Sequence, residues 1–319
     1  RIPRTRRTPG TITGRTLACE LLEARNLLTG VTLITHGFNS DADGWVTAMA
    51  QAMGARPTPA VDPILHRLEV TDPGNNGETL EITSAKLSGP ALVDADDPEI
   101  ALVLDWSDVA GTLPFGGYTR STVDVAAAVA EKLVANDFIP ELASLSDSLA
   151  TLPFHLVGHS RGGSLVGELA RQLGLRGIWV DQVTTLDPHP VSGYGDAPMM
   201  AWDRVAFWDN YWRENGGFLV PDGEHIPNTH NLELDGTILE SGGYGSDHSD
   251  VHLWYYGTID TSSSANNGDA DVPTDWYDNP PHPPRETSGY YFSRAVDGAR
   301  PLEGISSQLD PSGAQRVSY

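Results

Sequence analysis

The segment Gly158-His159-Ser160-Arg161-Gly162 sets a serine midway between two glycines. A serine hydroxyl is a weak nucleophile until a neighbouring base takes its proton and an acid orients that base. The glycine spacing suits a sharp, strained strand-to-helix turn, where backbone elements approach too closely for side chains. With 33 glycines in 319 residues, chance alone yields such a pentapeptide in roughly one sequence in four, so its setting carries the weight. Phe154-His155-Leu156-Val157 reads as a strand ending directly before Gly158, and residues 164–173 read as a helix behind it. That helix aims its N-terminal N–H groups at the serine and favours developing negative charge.

The acid expected to serve Ser160 is Asp187, in Leu186-Asp187-Pro188. It closes a strand near residues 182–186, the one after the elbow helix, and so emerges on the same sheet edge. The base comes later in the chain, from His225, His230, His248, His252 or His282. In Asp247-His248-Ser249-Asp250-Val251-His252-Leu253-Trp254-Tyr255-Tyr256 a polar loop runs into an aromatic segment. A histidine at that junction can face the site, which favours His248, with His252 as runner-up. Two histidines four apart on a helix are also a zinc pattern, but Ser249 stands where a zinc protease has glutamate. The oxyanion of acyl transfer needs two amide donors, one after the nucleophile and one after an earlier strand. Those are Arg161 and Phe38, the latter in His36-Gly37-Phe38 behind the apolar run Val31–Thr35.

These residues need a scaffold. Residues 31–35, 100–104, 154–157, 182–186 and 203–209 read as strands, and 44–54, 120–136 and 164–173 as helices. Residues 64–70 and 79–87 alternate around Asp72-Pro73-Gly74-Asn75-Asn76-Gly77 and predict a surface hairpin. Alternating strands and helices over 30–210 predict an α/β class protein, a mostly parallel sheet with helices on both faces. We expect one domain over residues 1–319, with residues 1–15 a basic, loose arm. Residues 210–247 look irregular, a lid or cap loop, and 261–319 form a polar extension. In that extension Trp276, Tyr277, Tyr290, Tyr291 and Phe292 suggest packing on the core.

Composition sets limits. There are 20 basic and 43 acidic residues, a net charge of −23, which repels nucleic acid and anionic membrane surfaces. Acid near the base (Asp247, Asp250) and downstream (Asp269, Asp271, Asp275) makes calcium a conceivable ligand. No apolar run is long enough to span a bilayer. Cys19 is the only cysteine, so no intrachain disulfide forms. The chain starts Arg-Ile-Pro-Arg-Thr-Arg-Arg, where no signal peptide is visible, as in a processed or excised form.

Taken in order, His36-Gly37-Phe38, Asp105-Trp106, Tyr118 with its alanine-rich helix, the Ser160 elbow, Leu186-Asp187-Pro188 and the His248 segment resemble the pancreatic-lipase-like branch of the α/β-hydrolases. The resemblance covers roughly residues 30–260. It implies an α/β-hydrolase fold and a carboxylic ester hydrolase, lipase or esterase, with a Ser160–Asp187–His248 triad and Phe38 and Arg161 as oxyanion donors. It further implies a lipid or small-molecule ester substrate, no required cofactor, and an extracellular location. A phospholipase, polyesterase or serine peptidase could use the same triad, and a non-catalytic binding module could keep the scaffold. The chain departs from the family in its lack of disulfides and in residues 261–319, which do not look like the family's C-terminal β-sandwich. A further departure is Arg161, which replaces leucine and either alters the acyl pocket or pairs with nearby acid.

Overall fold

Eight strands form one sheet: β1 (Gly30–Thr35), β2 (Ile64–Thr71), β3 (Glu81–Ser88), β4 (Glu99–Asp105), β5 (Phe154–His159), β6 (Val180–Leu186), β7 (Val205–Trp212) and β8 (His230–Glu233). Their spatial order is β3-β2-β4-β1-β5-β6-β7-β8. Every neighbouring pair is parallel except β2 with β3. The structure is a computed structural model and describes residues 30–56, 63–74, 79–89, 99–112, 118–136, 138–139, 148–214, 222–234, 238–239, 242–278 and 283–319. The basic arm at residues 1–15, Cys19 and His282 lie outside those residues.

β1, β4 and β5 are buried along their whole length, as central parallel strands covered on both faces must be. One face carries α3 (Thr122–Leu133) and α4 (Arg161–Leu175), whose Val125, Val129, Leu165 and Leu169 pack with Val31, Leu33 and Leu156. The other carries α1 (Trp45–Ala55) and α5 (Asp247–Ile259), whose Met49, Met53, Val251 and Tyr255 pack with Ile34, Val103 and Val157. A single turn, α2 (Ser107–Ala110), follows β4. This mostly parallel sheet with helices on both faces is the α/β architecture expected from the alternation of strands and helices in the sequence.

Local sequence explains the helix starts. Ser121 caps α3 by accepting the Asp124 N–H at 3.1 Å, with Asp124 in the first turn and Lys132 in the last. α1 has only Gly44 before it, at φ 60°, and no cap of its own. Its Trp45 N–H is taken instead by the Asp269 carboxylate at 3.0 Å, 224 residues further along. The segment after α5 thus helps to complete a helix near the other end of the chain. It also buries Trp276, Tyr290 and Phe292, and Tyr290 donates to the Met53 carbonyl at 3.1 Å.

Three expectations need correction. Residues 64–70 and 79–87 do pair as an antiparallel hairpin, but β2 is not at the surface: it also pairs parallel with β4, and Ile64, Leu65 and Leu68 are fully buried. Its His66 and Arg67 gave the strand a surface pattern. β7 runs on to Trp212, three residues past the expected end, because Asp209 and Asn210 are polar yet buried. Asp209 accepts from Thr184 at 2.7 Å and from Tyr211 at 3.0 Å. Residues 210–247 also contain β8, so they are not irregular throughout. Among the described residues, no helix is long and apolar enough to cross a membrane.

Candidate active site

The strand register decides what meets at one edge of the sheet. Thr35 lies beside Leu104 and Gly158, His159 beside Leu186, and Leu186 beside Tyr211. The residues that follow, His36-Gly37-Phe38, Trp106, Ser160, Asp187 and Arg213, therefore emerge side by side at the carboxyl ends.

Ser160 sits in the turn from β5 to α4 with φ 57° and ψ −126°. That backbone costs a non-glycine residue of order 1–3 kcal/mol. Hydrogen bonds hold it there: Ser160 N–H donates to the Leu186 carbonyl at 2.9 Å, and the Ser160 carbonyl accepts from Gly163 at 2.9 Å and His189 at 3.0 Å. Glycine is required on both sides. A Cβ on Gly158 would lie 2.2 Å from the Gly162 carbonyl oxygen, and one on Gly162 would lie 2.4 Å from that of His36.

Asp187 also has positive φ, 45°. Its Oδ2 accepts from His248 Nδ1 at 2.6 Å and lies 3.1 Å from Arg213 Nε, while its Oδ1 accepts the Arg213 backbone N–H at 3.0 Å. The backbone closes over this carboxylate, for a Cβ on Gly223 would stand 2.1 Å from Oδ1. Burial pushes the Asp187 carboxyl up to about 7 against the opposing pull of Arg213. Burial, helped by the Arg213 charge, pulls the His248 imidazole down to about 3. Loss of hydration disfavours both charges in this pair, so His248 is neutral at physiological pH. With Nδ1–H directed at Asp187, Nε2 carries the lone pair that can accept a proton.

His248 lies in the first turn of α5, and His252 lies one turn on. The two do not share surroundings. His252 is 2% exposed and stacks on Trp45, with ring centroids 4.0 Å apart and 18° between planes. His159 joins the histidines: its Nε2–H donates to the His248 carbonyl at 2.8 Å, and its ring lies 4.6 Å from that of His248 and 4.8 Å from that of His252. The residue before the serine thus holds the backbone of His248. Sequence reasoning assigned no role to His159 or Arg213. His159 carried a signal, being inside the motif, whereas Arg213 lay beyond the expected end of β7.

The loop after β1 lies directly over the elbow. A Cβ on Gly37 would stand 2.7 Å from Ser160 Cβ and 3.0 Å from Arg161 N. Behind it, His36 Nε2 lies 3.2 Å from Asp105 Oδ1 and its Nδ1 2.9 Å from the Gly37 carbonyl. Burial pushes Asp105 up, but hydrogen bonds from His36, Ser107 and Arg67 outweigh it and hold the carboxyl below the ordinary range. Asn39, at φ 52°, donates its N–H to Gly111 at 3.0 Å. Among the described residues no carbonyl outside the regular elements accepts from Phe38 N–H or Arg161 N–H.

Three of the five acids considered for calcium accept hydrogen bonds from the protein itself. Asp269 takes the Trp45 N–H, Asp250 takes the Tyr244 N–H at 2.6 Å, and Asp271 takes Asn266 Nδ2 at 2.7 Å. Among the described residues, no group of three or more His, Cys, Asp or Glu is arranged to hold a metal ion.

Comparison with known proteins adds little to this geometry. No family model matches the chain, and no curated protein does. Solved structures similar to it include the lin2722 gene product of Listeria innocua (10% identity over 59% of this chain and 70% of that one, TM-score 0.31). A candidate cell surface hydrolase of Lactobacillus plantarum WCFS1 is 12% identical over 91% of this chain and 100% of its own, with TM-score 0.30. RedJ, solved with a PEG molecule in its active site, is 11% identical over 73% and 86%, with TM-score 0.34.

Proposed function

We propose that the chain is a serine hydrolase of carboxylic esters, of the lipase or esterase type, that works through an acyl-enzyme. The observation that carries this reading is the 2.6 Å hydrogen bond from His248 Nδ1 to the buried Asp187, on the sheet edge where Ser160 occupies its strained turn. His248 Nε2 takes the Ser160 proton as Oγ bonds the acyl carbon, and the carbonyl electron pair moves onto oxygen. The Phe38 and Arg161 amides receive that oxyanion. Collapse restores the carbonyl and expels the alcohol, which takes the proton back from His248. Water then repeats both steps on the acyl-enzyme and releases the acid. Asp187 fixes the tautomer and offsets the imidazolium charge. This chemistry requires neither a metal nor an organic cofactor.

The ordered set of short motifs supports the pancreatic-lipase-like branch within this class, and with it a lipid or small-molecule ester as substrate. The test is turnover of p-nitrophenyl esters of graded chain length, with covalent labelling by a fluorophosphonate. Wild type is expected to turn over and to label at Ser160. Ser160→Ala is expected to lose labelling and about 10⁶ in kcat. Turnover that survives Ser160→Ala sinks the reading. Turnover of phospholipid, polyester or peptide alone moves the same triad to another substrate, and labelling without turnover of any of these points to a binding module.

A further inference from the structure

Arg161 is the elbow residue whose side chain the ester-hydrolase reading leaves unused. Its guanidinium is fully buried, as is the carboxylate of Asp196. The two form a bidentate pair, Nε to Oδ2 at 2.6 Å and Nη2 to Oδ1 at 2.6 Å. Nη1 donates to the Ala110 carbonyl at 2.7 Å and Nη2 also to that of Arg120 at 2.6 Å. Asp196 is anchored in turn, accepting the Thr122 N–H that starts α3 at 3.0 Å and the Val191 N–H at 2.9 Å.

The face of the guanidinium is used as well. It lies 4.9 Å from the Trp106 ring and 5.0 Å from the Tyr194 ring. Tyr194 stacks on Phe38 at 6.2 Å, and Trp106 stacks on His36 at 6.0 Å while its Nε1–H donates to the His36 carbonyl at 3.0 Å. These contacts close a circuit. His36 and Phe38, on either side of Gly37, are both tied to the side chain of the residue that carries the other oxyanion amide. An apolar pair of similar volume commonly serves stability as well as a buried ion pair does. The planar fork, by contrast, supplies direction.

We propose that the Arg161–Asp196 pair is the positioning device of the oxyanion hole. It fixes the separation and aim of the Phe38 and Arg161 amides relative to Ser160. The proposal rests on the ester-hydrolase reading. Such amides act on charge that exists only in the transition state, so a small misalignment costs rate more than substrate binding.

The test compares wild type with Arg161→Lys, Asp196→Asn and Tyr194→Leu, using p-nitrophenyl butyrate as substrate and phenylboronic acid as inhibitor. The boronate adduct of Ser160 places an oxygen in the hole, so it reports the same geometry at equilibrium. In each variant kcat is expected to fall about 10- to 100-fold, with KM within about twofold and boronate affinity falling in step with kcat/KM. The acid limb of the pH profile stays in place, because His248 and Asp187 are untouched. Tyr194 is half-buried and uncharged, so Tyr194→Leu carries the prediction if the charge-altering variants do not fold. Wild-type kcat and boronate affinity in a folded Asp196→Asn or Tyr194→Leu overturn the clamp. So does a fall in kcat with boronate affinity unchanged. A wild type that neither labels at Ser160 nor turns over an ester removes the hydrolase reading, and the clamp with it.

Discussion

The two edges of the parallel sheet both hold buried histidines and acids, yet they are built differently. At the amino-terminal edge a cavity of about 190 Å³ is lined by Glu99, His155, Asp181 and Tyr290 among others. There Glu99 accepts from Thr32 at 3.0 Å, and His155 bonds Thr184 at 2.9 Å while burial pulls its imidazole down to about 3. Glu99 and His155 are served by threonines of neighbouring strands, and Asp181 by Arg300 of the C-terminal segment at 2.7 Å. At the carboxyl edge, Asn39, Ser160 and Asp187 all hold positive φ, glycines admit backbone within contact distance, and an acid and a histidine meet directly. Neither burial nor a shifted pKa separates the edges. Local strain gathered around convergent polar groups does.

The sharpest way to break this comparison is on α5. His248→Ala is expected to lower kcat for p-nitrophenyl esters by about 10⁴- to 10⁶-fold with little change in thermal stability. His252→Ala removes a ring packed on Trp45 and is expected to cost about 3 kcal/mol in denaturant unfolding, with a far smaller loss of kcat. If His252→Ala alone abolishes acyl transfer, the assignment of the base is wrong.

A smaller effect lies in pH. Burial first, and the Arg213 charge second, lower the His248 imidazole. A base is active when neutral, so the acid limb of kcat/KM is expected below the ordinary histidine value of about 6.5. Removing the cation from beside the pair makes proton uptake easier, and Arg213→Gln should move that limb to higher pH. A limb that stays still or moves down contradicts the electrostatic account. The smallest effect is expected at the other edge. Thr32→Val deletes the hydroxyl that serves Glu99 and should cost about 1.5–3 kcal/mol of stability, while kcat stays at wild type. A loss of kcat there would show that the two edges are coupled.

How much of this was legible in the sequence depended on the range of each interaction. Strand–helix alternation predicted the fold class because periodicity is local. Glycine spacing around Ser160, and the ends of apolar runs at Asp187 and Phe38, could be read along the chain, since each marks where a buried strand stops. The partner of Arg161 could not, because Asp196 lies 35 residues on in a loop with no pattern. Arg213 was hidden because buried polar residues in β7 imitate a strand end. β2 misled for a related reason: His66 and Arg67 look solvent-facing, but His66 is 1% exposed and Arg67 turns its charge toward Asp105.

The cap that Asp269 places on α1 has a consequence for the order of events during synthesis. Helix α1 carries no acceptor of its own for Trp45 N–H, and the residue that supplies it leaves the ribosome 224 residues later. Until then α1 is an uncapped apolar helix, and its Met53 carbonyl lacks Tyr290. The first strands can form early, but the face of the sheet bearing α1 and α5 closes late. That face is therefore held by contacts between residues far apart in the chain, the kind whose loop-closure cost slows folding.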